Sequence, residues 1–160
     1  MSDGAPSRPV LLCFDGSSGA ERAIAEAGAL LAPRAAVVLT VWEPVAVWEP
    51  FDPGAIVSGG VARLGASALG LDEIAEALAA EQVEAGVALA REAGFEARGR
   101  VVHGKAWRAI CDLGEELDAC VIVLGARGLS RVQSALLGSV SAAVAVHAAR
   151  PVLVVPGARG

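Results

Sequence analysis

Five short apolar runs alternate along this chain with segments of helical periodicity, and that alternation leaves few folds open. The runs are 10–14 (VLLCF), 36–42 (AVVLTVW), 97–103 (ARGRVVH), 120–124 (CVIVL) and 152–155 (VLVV). Four of them are nearly continuous in hydrophobicity instead of alternating. Strands covered by helices on both faces read this way, because neither side of the pleat meets water. The third run is more polar than the others.

The segments between the runs carry helical signals. Residues 18–31 open with Ser18 and Glu21, a capping-box spacing in which two side chains satisfy two orphan amides, and Ala23, Ala27, Leu30 and Leu31 form one apolar face. Residues 72–93 place Ile74, Leu78, Val83, Val87 and Ala90 on a face, with Gly94 suited to close the helix. Residues 107–117 repeat Ile110, Leu113 and Leu117. Residues 139–149 carry Val140, Val144 and His147 on one side, and Pro151 bars continuation. The order β-α-β-α-β-α-β-α-β implies parallel strands joined by right-handed crossovers. The expected fold is therefore α/β, a doubly wound five-stranded parallel sheet with helices on both faces, in one domain spanning 1–160; the strand order expected is 3-2-1-4-5, which alternation alone does not fix. With 54% hydrophobic but only 4% aromatic residues and no Tyr, its core must be built from Val, Leu, Ile and Ala.

One stretch breaks the rhythm. Residues 44–70 hold Pro44, Pro50, Pro53 and several glycines, repeat the tetrapeptide VWEP, and exceed an ordinary connection. They read as a flexible insertion, in which Trp48 and Phe51 either cover a ligand or partner or pack onto their own domain.

Composition excludes several classes. A net charge of −5 with no segment that concentrates Lys or Arg argues against nucleic-acid binding. Cys13, Cys111 and Cys120 are odd in number and form no CxxC, the pattern of a reducing compartment, so a cytoplasmic location is expected. The polar first nine residues do not read as a signal peptide. The weakly polar stretch 132–149 is interrupted by Gln133, Ser134, Ser139, Ser141 and His147, so no membrane span is expected.

Ligands of open α/β sheets bind beyond the carboxyl ends of the strands. Four strand ends are therefore of interest: Asp15-Gly16-Ser17-Ser18, the region of Val41 to Glu43, His103-Gly104-Lys105, and Gly125-Ala126-Arg127-Gly128. The last is the most informative. Gly125, two residues, Gly128, nine residues, Gly138 and Ser139 lie between a buried strand and a helix. Glycine lets a phosphate approach the backbone, and a helix N-terminus offers unpaired N–H groups and partial positive charge. Ser139 can bind phosphate, cap the helix, or do both. Arg127 and Arg131 flank the loop and either contact phosphate or face solvent.

The segment GARGLSRVQSALLGSVSAAVAVHAARPVLVV resembles the C-terminal signature of universal stress proteins, G-2x-G-9x-G-[ST], and VLLCFDGSSGAERAIAEAGALLA resembles their first strand and helix. The resemblance spans nearly the whole chain outside 44–70 and implies the ATP-binding subtype. On it, Asp15 matches an acidic position near adenine and ribose, and Val41 a position whose backbone reads the adenine edge. Gly125, Gly128, Gly138 and Ser139 match phosphate-binding positions, and Ser141 a hydroxyl position early in the last helix. The ligand implied is ATP, with AMP or a cyclic nucleotide as alternatives, and a Mg²⁺ bridging its phosphates. The resemblance also implies a homodimer through the last strand, and a short apolar edge strand invites such pairing. The chain departs from the family at Gly104-Lys105-Ala106, where many members carry an acidic or small residue and then Pro. Lys105 either reaches a phosphate or stays solvated at a helix start.

His103 stands where a catalytic base could sit, although a lone His at a strand end is more often structural. Other nucleotide-binding classes fail by motif. There is no HxGH, no SGGxDS after the first strand, no GxxxxGK[ST] and no GxGxxG. Three functions are weighed on this reading: an ATP-binding regulatory or stress-response protein with an as yet unknown protein partner, a slow ATPase or phosphotransferase, and an interaction module that binds no nucleotide.

Overall fold

The computed structural model describes residues 8–43, 70–126 and 137–157. The chain runs through β1 (Val10–Cys13), α1 (Ser18–Leu31), β2 (Ala35–Trp42), α2 (Leu71–Glu92), β3 (Glu96–His103), α3 (Ala106–Glu116), β4 (Val121–Gly125), α4 (Ser139–His147) and β5 (Val152–Val155). The five strands form one sheet in the order β3-β2-β1-β4-β5, and every pairing is parallel. Register is fixed by burial on both faces. Val10 stands opposite Ala36 on one side and Val121 on the other, and Ile122 stands opposite Val152.

The pleat divides the core in two. Val10, Leu12 and Val38 point to one face, where Ala23, Ile24 and Ala27 of α1 and Val83, Val87 and Ala90 of α2 cover them. Leu11, Val37, Leu39, Ile122 and Leu124 point to the other, under Ile110 and Leu113 of α3 and Val144 of α4. Leu11, Leu12 and Ile122 are wholly shielded, and each such side chain is worth about 1.5–3 kcal/mol of transfer free energy. The interior strands are therefore almost continuously apolar, and the buried Thr40 of β2 is a polar exception. β3 is an edge strand with exposed residues at Glu96, Arg98 and Arg100, which explains its polar composition.

Several local expectations are corrected. The N-cap of α1 is Ser17, not Ser18: its Oγ accepts the Ala20 N–H at 3.2 Å, and the reciprocal Glu21 arrangement does not form. In α2 the stripe Val83, Val87, Ala90 is buried, but Ile74 and Leu78 are 56% and 60% exposed. In α4, Val144 is buried while Val140 and His147 are exposed, and the helix ends at His147, ahead of Pro151. Gly94 does close α2. At φ +93° it lets its own N–H reach the Arg91 carbonyl and the Phe95 N–H reach that of Ala90, which satisfies two terminal carbonyls. The expected insertion at 44–70 lies, except for Gly70, outside the described residues.

Candidate functional site

The carboxyl ends of β1, β2 and β4 meet the N-termini of three helices around a cavity of about 230 Å³. At the end of β1 the Phe14 N–H still bonds the Leu39 carbonyl at 2.9 Å, and the Phe14 carbonyl accepts the buried Thr40 hydroxyl at 3.0 Å. Beyond it the chain turns at Gly16, whose φ is +76°. One oxygen of the Asp15 carboxylate accepts the Ser17 N–H at 3.0 Å. That bond fixes the carboxylate at the rim of the cavity, where Asp15 and Ser17 are both lining residues.

β2 contributes Leu39 and Val41 to the lining, with Val41 half-buried. Just past it, the Glu43 carboxylate accepts the Ala106 N–H at 3.1 Å, so the start of α3 is capped from another strand end. β4 contributes Leu124 and Gly125. A Cβ on Gly125 would lie 2.8 Å from the carbonyl carbon and oxygen of Gly19, so this glycine admits the backbone of α1 to the strand end. Packing alone therefore demands glycine here, whatever else it does.

The chain leaves β4 at Ala126 and returns at Gly138, the N-cap of α4. The Gly138 N–H donates to the Ala126 carbonyl at 2.6 Å. Gly138, Ser139, Val140 and Ser141 all line the cavity, which sets the first turn of α4 against it. Ser141 is 3% exposed, and its hydroxyl lies 2.9 Å from the Ala126 carbonyl oxygen and 3.0 Å from that of Gly138.

Asp15, Val41, Gly125, Gly138, Ser139 and Ser141 thus line one cavity at the strand ends and helix starts. Gly128, Arg127 and Arg131 lie outside the described residues. Lys105 is not a lining residue: it is exposed at the N-cap of α3 and borders a separate groove with Arg100 and Arg108. His103 also borders that groove, with its ring 5.9 Å from that of Trp42. His147 stacks on Trp107 at 4.8 Å.

Sequence reasoning missed the apolar floor. Phe14, Leu39, Ile110 and Leu124 line the cavity as well as filling the core, and periodicity does not distinguish the two roles. Cys13 also lines the cavity. Burial pushes its thiol far up, and Cys111 and Asp15 push it further, so it stays a neutral, weakly polar wall group. Among the described residues no cluster of three metal-ligating side chains occurs, and no helix is long and apolar enough to cross a membrane.

Solved structures share this architecture. The hypothetical protein MJ0577 superposes with a TM-score of 0.67 at 22% identity, covering 98% of this chain and 100% of its own. A universal stress protein in complex with cAMP gives 0.60 at 25% identity, covering 95% and 98%. The universal stress protein from Archaeoglobus fulgidus in complex with dAMP gives 0.61 at 21%, covering 94% and 98%. Comparison with curated proteins finds no match. The universal stress protein family model matches residues 6–156, almost the entire length, and the chain belongs to that family.

Proposed function

We propose that this chain binds an adenine nucleotide, ATP with Mg²⁺ foremost, and acts as a cytoplasmic, nucleotide-dependent regulatory protein of the stress response. The observation that carries the reading is a difference among the three helix starts at the cavity. The first turn of α1 is capped by Ser17, and the first amide of α3 is capped by Glu43. Gly138 has no side chain with which to cap α4, and among the described residues no side chain accepts from the amides of Ser139, Val140 or Ser141. Unpaired amides and the positive end of a helix dipole favour an anion. The apolar floor beside Val41 suits a flat base, and Asp15 stands at the rim where a ribose hydroxyl could donate to it. The solved relative that holds cAMP supports the adenine class.

The lining fits a Mg²⁺ that arrives with the nucleotide. Such an ion takes most of its ligands from phosphate oxygens and water, so it needs no preformed protein cage. When bound it would neutralise phosphate charge. The chain's own residues would hold the base, orient the ribose and offer amides to the phosphates.

The test is thermal unfolding of the purified protein with and without MgATP, with AMP and cAMP alongside. Ligand at about 100-fold over Kd adds about 2.7 kcal/mol of stability, so a clear rise in Tm is expected. Gly138→Val should abolish it. Position 138 has an extended backbone (φ −68°, ψ 163°) that any residue adopts, so a side chain there strains no backbone torsion and is expected to obstruct the anion site. No shift in the unmodified protein at millimolar nucleotide would overturn the proposal.

A further inference from the structure

We infer that the Ser141 hydroxyl positions the phosphate groups indirectly, acting through the Ala126 carbonyl and not by touching the ligand itself. This rests on the nucleotide reading above and goes beyond it by assigning a residue to selectivity for phosphates. Ser141 lies in the first turn of α4, where a serine hydroxyl commonly reaches either a ligand or the carbonyl one turn back. It is 3% exposed, and its oxygen is within hydrogen-bond reach of two carbonyls. The hydroxyl has one proton to donate, and of the two acceptors Gly138 is the local one, at 3.0 Å within the same turn. Donation to Ala126, at 2.9 Å, spans fifteen residues and ties the helix to the end of β4.

The same Ala126 carbonyl accepts the Gly138 N–H at 2.6 Å. One oxygen therefore receives both the N-cap amide and the buried hydroxyl, and the Ala126 N–H is itself held by the Val155 carbonyl at 2.8 Å. The start of α4 is clamped to a strand end that is fixed in the sheet. What the clamp determines is the direction in which the amides of the first turn point, which no side chain caps among the described residues. The apolar floor and Val41, contributed by other elements, do not depend on it. Loss of the hydroxyl should therefore weaken phosphate recognition and spare recognition of the base.

The experiment is calorimetric titration of adenosine, AMP and MgATP into the unmodified chain, Ser141→Ala and Ser141→Thr. Ser141→Ala keeps the Gly138 bond to Ala126, so the fold should survive. It is expected to bind adenosine within about twofold of the unmodified chain and MgATP about tenfold more weakly, the scale of one lost hydrogen bond. Ser141→Thr, which restores the hydroxyl, should recover most of that loss. Equal weakening of adenosine and MgATP, or unchanged MgATP affinity in Ser141→Ala, would overturn the inference. Hydrogen exchange separates this from failure of the nucleotide reading. If the unmodified chain binds no nucleotide, the reading itself falls, and the phosphate role falls with it. The clamp is then judged alone: the Gly138 and Ala142 amides should exchange faster in Ser141→Ala while those of α1 do not, and unchanged exchange would refute the clamp too.

Discussion

Gly125 shows how one residue answers to two demands. A strand-end glycine ahead of a second glycine reads as a phosphate position, and the fold does place it at the cavity. Yet the carbonyl of Gly19 would sit 2.8 Å from any Cβ there, and the close neighbour is backbone that cannot rotate away. Gly125→Ala is therefore expected to destabilise the protein by about 1–3 kcal/mol, the usual cost of forcing extra volume into a packed site. Denaturant unfolding without nucleotide measures this, and a midpoint within error of the unmodified chain would show that α1 yields freely. Asp15, Val41, Gly138 and Ser139 were legible because strand ends and helix starts are visible in the sequence. Phe14 and Leu124 were not, since one apolar side chain can face a core and a cavity at once.

Among the elements, the central strands were the most legible, because burial on both faces writes itself as an unbroken apolar run. β3 was less so, being half-solvated at the edge of the sheet. Two of the errors have geometric causes. Hydrophobic spacing reports which residues of a helix share a face, not how far the sheet extends beneath it. At 22 residues α2 is about 33 Å long, whereas the eight-residue strands beneath it span about 26 Å. The first turns of α2 overhang, and Ile74 and Leu78 are left exposed. The second error was the N-cap of α1, where two adjacent serines give the same sequence signal. The structure separates them. Ser17→Ala should cost about 1 kcal/mol by removing the acceptor for the Ala20 amide, and Ser18→Ala should cost little. Paired denaturation curves check this, and equal losses would mean that the cap is shared.

At the scale of the whole molecule, the sheet ends on two unlike edges. β3 presents Arg98 and Arg100, charges that discourage another strand from pairing. β5 presents VLVV, with Val152, Leu153 and Val154 only half-buried among the described residues. A short apolar edge without charge is a template for a second strand, and two copies related by a twofold axis would pair β5 antiparallel and bury the same residues on each. Near such an axis a residue stands opposite its own copy, so a charge introduced there meets an identical charge, which is destabilising. We therefore expect the protein to elute as a dimer in light scattering, and Val154→Lys to be monomeric while retaining its helical circular dichroism. The result depends on ionic strength, because two facing ammonium groups are screened by salt over a Debye length of about 3 Å at 1 M: dimer should partly return at high salt. A monomeric unmodified chain, or a Val154→Lys variant that stays dimeric at low salt, would place any assembly elsewhere on the surface.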